Sequence, residues 1–420
     1  MKVLFVHQNM PGQYKHLAPI LAKDPANQVA FVTKEGKPDI PGITKVTYKL
    51  TRQPTPKIHQ YLERLEDQVL HGQGAVRAGL GLRKKGFIPD VICAHTGWGE
   101  ALFLRDAFPE SRILAFSEFY YTSKGADIDF APDHAPNLDR DCRTRVRNAH
   151  MLMSLEASDW GISPTWWQWS RHPEMIRDRI SVIHDGVDTD LCVADPTTVL
   201  ELPNGLTLSA EDEVVTFIAR NLEPYRGFDV FMQSIKGILE RRPNARVVVV
   251  GGDEVSYGMP PPADANWRQF MLARTKFDPR RVHFFNRVPY SVFQQVLSIS
   301  KAHVYLTYPF VLSWSMLEAM SHECMLIASS TTPVTEVVND GVNGRLVDFF
   351  KSAEVTDAVV WALENQDQTM AFRKAARQTI VKNYDLRKVC LPAQIDLIST
   401  LAEDRRPPRT KQPCSGATAS

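Results

Sequence analysis

Apolar residues follow two rhythms along this chain. Short β-branched runs, "KVLFV" (2–6), "VAFVT" (29–33), "DVICA" (90–94), "RILAF" (112–116) and "DRISVI" (178–183), alternate with longer stretches at 13–23, 58–85, 99–107 and 137–157. Continuous apolar runs of this length predict strands buried on both faces, and the amphipathic stretches predict helices laid over them. The pattern then begins again. "EVVTFIA" (213–219), "ARVVVVGG" (245–252), "RVHFF" (281–285), "AHVYLT" (302–307) and "CMLIAS" (324–329) predict a second set of strands, with helices at 228–241, 264–276, 290–300, 315–322, 353–365 and 367–383. Alternation of this kind predicts βαβ units and parallel sheets, twice over.

Between the two sets, residues 188–212 ("DTDLCVADPTTVLELPNGLTLSAED") hold much Pro, Asp and Thr and no sustained period. They mark the break between two domains. The expected organisation is an N-terminal Rossmann-like domain over 1–190, a linker over 191–212 and a second Rossmann-like domain over 213–385. A helix over 386–402 is expected to cross back to the first domain, and residues 403–420 to be a disordered tail. Two doubly wound α/β domains facing each other across a cleft bind ligands beyond the carboxyl ends of their strands. Candidate chemistry is therefore sought just after each strand.

Composition narrows the class. At 420 residues the chain is too long for one ordinary core. A net charge of +1 argues against a nucleic-acid binder, which usually carries a strong basic excess. None of the six cysteines (Cys93, Cys142, Cys192, Cys324, Cys390, Cys414) stands in a CxxC pair. That gives no sign of a zinc knuckle or a disulfide framework and suits a reducing compartment. The four apolar residues before His7 are too few for a signal-peptide core, and no apolar run approaches the roughly 18 residues of a membrane span. A cytoplasmic protein is expected.

After the first strand, Gly12 lies in a turn before a helix, where a glycine lets backbone amides approach an anion; a plain strand-to-helix turn is the commoner explanation. His95 closes the strand "DVICA" and precedes a Gly-Trp-Gly. A lone histidine is more often structural, and only the strand-end position makes this one a candidate. Arg220 closes "EVVTFIA" and Arg226 ends the following loop. Two guanidiniums flanking one strand-to-helix loop supply charge and bidentate donors for a diphosphate. The stretch "YPFVLSWSMLEAM" (308–320) holds a single carboxylate, Glu318. Ser315 and Glu318 fit a capping box, with Ser315 at the N-cap. Alternatively, Glu318 accepts hydrogen bonds from the two hydroxyls of a ribose while the amides around Ser313 and Met316 meet a phosphate. The residues alone leave both open. Arg143 and Arg147 share a helix face, a solvated basic surface by default and a site for an anionic acceptor or a membrane surface otherwise. Trp166, Trp167 and Trp169, and the irregular segment 120–136, are candidates for an acceptor groove and its lid.

Four motifs in order carry a resemblance: "VIHDGVDTD", "ARNLEPYRGFD", "VHFFNRVPYSVF", and "YPFVLSWSMLEAM" followed by "PVTEVVNDGVNGRLVD". Together they resemble the retaining family 4 (group 1) glycosyltransferases of the GT-B fold, over roughly residues 1–400. The resemblance implies that Arg220 and Arg226 hold a donor diphosphate and that Glu318, the second glutamate of E-x7-E, binds the nucleotide ribose. It places Arg287 and Val288 beside the base, and Phe310, Val311, Leu312, Ser313, Trp314 and Ser315 around the donor's sugar and phosphates. It brings His95 to the transferred sugar and lets Gly12 approach the phosphates, with neither metal nor cofactor. The donor would be a UDP- or GDP-sugar. The acceptor would be a hydroxyl, often on a lipid-linked glycan of polysaccharide assembly, with peripheral membrane contact. This sequence departs from the pattern in three places. Phe310 stands where the first glutamate of E-x7-E is expected, Arg220 and Arg226 are one residue further apart than usual, and His322–Glu323 replaces a small residue and a glycine. The rival readings are a catalytically silent nucleotide-sugar-binding protein, motivated by Phe310, and a nucleotide-sugar epimerase.

Overall fold

The structure, a computed structural model, describes residues 1–132, 135–262 and 264–409. The chain forms two compact units, one of Met1–Gly186 with the residues from Arg387 onward, the other of Val187–Leu386.

Unit 1 is built on a seven-stranded, all-parallel sheet: β1 (Lys2–Val6), β2 (Gln28–Lys34), β3 (Ile43–Tyr48), β4 (Val91–His95), β5 (Arg112–Phe116), β6 (Trp160–Ser163) and β7 (Ile180–Val182), in the order β3-β2-β1-β4-β5-β6-β7. Its central strands are apolar on both faces because helices cover both. Val3, Leu4, Phe5 and Val6 are fully buried. One covering layer includes the helix Glu63–Lys84, whose Gly74 and Gly79 let Tyr48 and Phe108 press against its backbone; a Cβ would come within 2.4 and 2.9 Å of those rings. The helix Leu391–Ala402 packs on β4 and β5, burying Leu397, Ile398 and Leu401, and Gln394 donates to the His184 carbonyl at 2.9 Å.

Unit 2 begins with a two-stranded antiparallel hairpin, β8 (Val199–Glu201) and β9 (Thr207–Ser209). A six-stranded parallel sheet follows: β10 (Val214–Asn221), β11 (Arg246–Gly252), β12 (Val282–Phe285), β13 (Ala302–Tyr305), β14 (Leu326–Ser329) and β15 (Arg345–Val347), ordered β12-β11-β10-β13-β14-β15. The helix Phe228–Arg241 buries Phe228, Phe231, Ile235 and Leu239, the face its period assigned. Chain entry and exit lie side by side: Val187 donates to the Tyr384 carbonyl and accepts from the Leu386 amide, both at 2.8 Å.

Three expectations need correction. Residues 191–212 are not a free linker; Leu200, Leu202 and Leu208 of the hairpin join one of unit 2's apolar clusters. The expected helix over 137–157 is two, Leu138–Arg147 and Ala149–Glu156, meeting at Asn148. Of the expected disordered tail, residues 403–409 lie on unit 1, where Asp404 pairs with Arg112 and Arg409 with Asp178 at 2.7 Å; residues 410–420 fall outside the described residues.

Candidate functional site

Both sheets reverse their strand order at one point. In unit 1 the chain moves outward from β1 through β2 to β3, then returns to place β4 on the other side of β1. In unit 2, β13 returns beside β10 in the same way. Loops leaving the carboxyl ends at such a point diverge to opposite faces and open a crevice, the usual ligand position in a doubly wound sheet. The sequence candidates distribute over these two points.

In unit 2, Arg220 is the penultimate residue of β10 and is exposed. Arg226 differs. It is buried, and its Nη1 donates to Thr307 Oγ1 at 2.6 Å, Val311 O at 3.2 Å and Tyr305 Oη at 3.4 Å. It thereby ties the loop after β10 to the loop after β13. Glu223, fully buried in the same loop, accepts from the amides of Ser256, Tyr257 and Gly258 at 3.3, 3.2 and 2.9 Å and so fixes the loop after β11. Neither clamp was evident from the sequence, although Glu223 stands inside the quoted motif.

Phe310 does not line an open sugar pocket. It is 6% exposed, with its ring edge-on to Tyr225 (centroids 5.4 Å apart) and beside Tyr257 (5.2 Å). Tyr225 in turn stacks on Tyr308 at 4.8 Å. The aromatic residues of three loops thus pack together where the family pattern has a carboxylate. Leu312 is buried in the core, while Val311, Ser313, Trp314 and Ser315 are half-buried.

The helix Trp314–Ser321 has Ser313 at its N-cap, not Ser315, and no side chain caps it. Ser313 N donates to Tyr305 Oη at 3.0 Å. The capping-box reading fails because Ser315 already lies inside the helix, and Glu318 turns to Tyr290, whose hydroxyl donates to Oε1 at 2.7 Å. Burial, then the Glu318 charge, pushes the Tyr290 phenol well above its ordinary pKa, so it remains a donor. Arg287 is exposed; it pairs with Glu254 and donates to Asn221 Oδ1 at 3.3 Å. Val288 packs at the edge of the apolar cluster that includes Phe285.

In unit 1, His95 ends β4 and is 1% exposed, enclosed by Trp98 (6.0 Å), Phe116 (5.3 Å) and His7 (5.0 Å). Its Nδ1 accepts from Gly97 N at 3.0 Å, which assigns the proton to Nε2, 3.5 Å from Glu118 Oε2. Gln13 donates to the other oxygen of Glu118 at 2.8 Å. Burial would raise the Glu118 carboxyl, but the His95 and Gln13 contacts hold it below the usual range. His7, one residue past β1, is buried and accepts from Asn9 N at 2.8 Å. Gly12, at φ +54°, lies so close that a Cβ would stand 2.8 Å from His7 Nε2. The switch point therefore gathers His7, Gly12, Gln13, His95 and Glu118. Only Gly12 and His95 were candidates from sequence. His7 could have been found by asking which residue follows β1.

Trp167 is buried under the Arg171 guanidinium, 4.1 Å from its ring, and Trp169 donates to the Arg177 carbonyl at 3.0 Å. In segment 120–136 the Gly125 carbonyl accepts from Arg171 at 3.1 Å, and Asp133 and His134 fall outside the described residues. At the start of the break between the two strand sets, the Asp188 carbonyl carries a turn, accepting from the Leu191 and Cys192 amides. Among the described residues no cluster of three or more His, Cys, Asp or Glu could hold a metal, no helix is long and apolar enough to cross a membrane, and no two of the five cysteines form a disulfide.

Burial also sets an acid response. Desolvation pushes His7 and His303 down to about 3, and His150, His172 and His184 to about 4. Each stays neutral in the fold but protonates near its ordinary value of about 6.5 when unfolded. The unfolded chain then binds more protons, so stability falls as pH drops below about 6.5 toward 4. Of these five, the ones pushed furthest, four lie in unit 1; burial also lowers His283 and His322 in unit 2. Urea titrations at pH 7.5 and 5.5 should therefore show unit 1's transition moving to lower denaturant more than unit 2's; equal or absent movement contradicts this.

Two parallel, doubly wound Rossmann-like domains with 3-2-1-4-type switch points define the GT-B architecture. Solved structures agree with the fold. HepE of Anabaena in complex with UDP superposes with a TM-score of 0.64 at 15% identity, covering 95% of this chain and 100% of that one. Sucrose-phosphate synthase from Thermosynechococcus elongatus gives 0.67 at 14% identity, covering 96% and 100%. Two family models divide the chain between them: "Glycosyl transferase family 4 group" matches residues 25–192 and "Glycosyl transferases group 1" matches residues 203–379. The chain belongs to the group 1 glycosyltransferases. A curated relative, D-inositol 3-phosphate glycosyltransferase of Corynebacterium aurimucosum, is 26% identical over 211 residues; the match spans 49% of this chain and about half (48%) of the relative.

Proposed function

We propose that the protein transfers a sugar from a nucleoside-diphosphate sugar to a hydroxyl acceptor, with retention at the anomeric carbon. The observation that carries this reading is the pairing of exposed Arg220 at the end of β10 with the Ser313–Glu318 helix start after β13, on adjacent strands at unit 2's switch point. A diphosphate would meet the Arg220 guanidinium and the first-turn amides, which lack intrahelical partners. Glu318 would take the ribose hydroxyls, with Tyr290 orienting it. Arg287 and Val288 would edge the base. Arg226 acts from behind the wall: its fixed charge adds to the field, and its bond to Val311 O shapes the loop.

In the reaction, the bond from the sugar's anomeric carbon to the diphosphate oxygen breaks as one to the acceptor oxygen forms on the same face. The acceptor's proton passes to the departing phosphate. Arg220 and the helix amides stabilise the charge that develops there. Because His95 is enclosed, it serves as a positioning residue: it orders the Gly97 turn and supports Glu118. Retention, independence from metal and cofactor, and a UDP donor belong to this proposal; HepE was solved with UDP and UDP-glucose, which favours uridine over guanosine for a first trial. An acceptor in polysaccharide or glycolipid assembly, and work at the cytoplasmic face of a membrane, extend it.

The His95–Glu118 contact favours a second reading, an epimerase, because it sets an imidazole against a carboxylate at unit 1's switch point, where Glu118 could exchange a proton. Titration calorimetry with UDP and GDP, followed by incubation of the bound nucleotide's sugars with and without hydroxyl acceptors, separates the readings. Acceptor-dependent release of nucleotide supports transfer. An epimerised donor without acceptor supports the second reading. Binding without either supports a silent binding protein, and no nucleotide binding sinks all three.

A further inference from the structure

Most arginines of unit 1 that form ion pairs do so in plain view: Arg52 with Glu66, Arg83 with Glu110, Arg105 and Arg112 with Asp159, Arg143 with Asp139. Arg64 and Arg147 stand apart from these pairs. No carboxylate among the described residues pairs with either; they lie on two helices in contact, Glu63–Lys84 and Leu138–Arg147, and each is near enough to feel the other's charge and that of Tyr121. The two segments are tied near the helix starts: Tyr61, two residues before the first helix, donates its hydroxyl to Asp139 of the second at 2.6 Å. Two cations held together without a counter-ion repel, and in a fixed frame the repulsion is relieved by an anion from outside. The Arg147 charge is the largest influence drawing the Arg64 guanidinium below its ordinary pKa.

The pair is also pre-organised. The Arg147 guanidinium lies on the Tyr121 ring, 3.4 Å from its centroid, which holds its plane and leaves its edge donors available. Tyr121 is itself clamped by the neighbouring Asn148, whose Oδ1 accepts from Tyr121 N at 3.0 Å and whose Nδ2 donates to Tyr121 O at 2.7 Å. Position ties the pair to the switch point. Tyr121 follows Glu118 by three residues, and the helix Ala149–Glu156, beginning two residues after Arg147, packs on the turn Thr96–Trp98 that follows His95.

We infer that Arg64 and Arg147 form an anion site on unit 1 that takes the phosphate of a phosphorylated acceptor. A phosphomonoester suits it better than a carboxylate, since one group bearing close to two charges answers two guanidiniums from two helices. The phosphate's source is either a soluble phosphorylated polyol or a lipid phosphate headgroup. The word acceptor rests on the glycosyl-transfer reading; the anion site does not.

The test uses the full chain saturated with UDP, so that phosphate cannot report on unit 2, at constant ionic strength. Phosphorus NMR titration with glycerol 1-phosphate reads the soluble arm. Sedimentation with phosphatidylcholine vesicles, with and without phosphatidic acid, reads the lipid arm. The expected result is saturable binding in at least one arm, weakened about tenfold or more by Arg64→Gln and by Arg147→Gln, partly restored by Arg147→Lys, and unchanged by Lys84→Gln at the far end of the same helix. The arm that responds names the source. Absence of binding in both arms, or binding that ignores both Arg64→Gln and Arg147→Gln in variants with unchanged melting, overturns the inference. Calorimetric UDP affinity is measured alongside: its failure strikes the donor reading and leaves the anion result standing.

Discussion

Arg220→Ala lowers turnover by roughly 10²–10³-fold, with nearly unchanged melting temperature, if this guanidinium stabilises the departing diphosphate. The two halves of that expectation have separate physical grounds. Arg220 is exposed at the end of β10, and an exposed side chain with no part in core packing contributes within about 0.5 kcal/mol to stability. Its charge, by contrast, would face an oxygen that becomes more negative as the glycosidic bond breaks, so the loss should fall on kcat and kcat/KM together. A rise in KM alone would make Arg220 a ground-state anchor. Near-normal kinetics would remove it from the site. Arg226→Ala is a poor substitute for this experiment, because it empties a buried position and releases Thr307 and Val311 O.

The second large effect concerns Phe310→Glu, which rewrites the position toward the family pattern. The expected outcome is loss of stability by about 3 kcal/mol or more rather than gain of activity, because an ionised carboxylate would enter a nest of Tyr225 and Tyr257 rings at a site 6% exposed. Phe310→Leu keeps an apolar side chain of lesser volume and should lose only about 1–2 kcal/mol. Thermal unfolding of the three proteins decides. If Phe310→Glu melts like the parent and broadens donor use, the aromatic packing yields to a sugar pocket, and the loop after β13 has two arrangements.

That contrast shows how far the sequence could be read. The long apolar runs named ten strands, because a strand buried on both faces leaves a continuous signal. The ones it missed are short or half-exposed. β3 lies at the sheet edge and is mostly intermediate in burial, β6 is interrupted by Gly161, and β15 has three residues. The hairpin of β8 and β9 hid among Pro, Asp and Thr because only Leu200, Leu202 and Leu208 face inward. At the site, motifs located the loops but not the direction of their side chains. Arg220 and Arg226 look equivalent in one dimension, and one is exposed while the other is buried. Ser315 and Glu318 have capping-box spacing, but a helix that starts at Trp314 puts Ser315 inside it. The partners that decide such cases, Tyr290 for Glu318, Glu118 for His95 and Tyr121 for Arg147, lie 28, 23 and 26 positions away by the numbering of the chain. No local spacing rule reaches that far.

The closing helix Leu391–Ala402 bears on how the chain matures. It supplies Leu397, Ile398 and Leu401 to the layer over β4 and β5, yet it is synthesised after every residue of Val187–Leu386. On a ribosome, the earlier-born half must wait with an uncovered apolar strip while the later-born half, whose own ends are strapped together at Val187 and Tyr384, completes itself first. Nascent chains arrested before residue 391 should accordingly call on chaperones for the first half and not for the second.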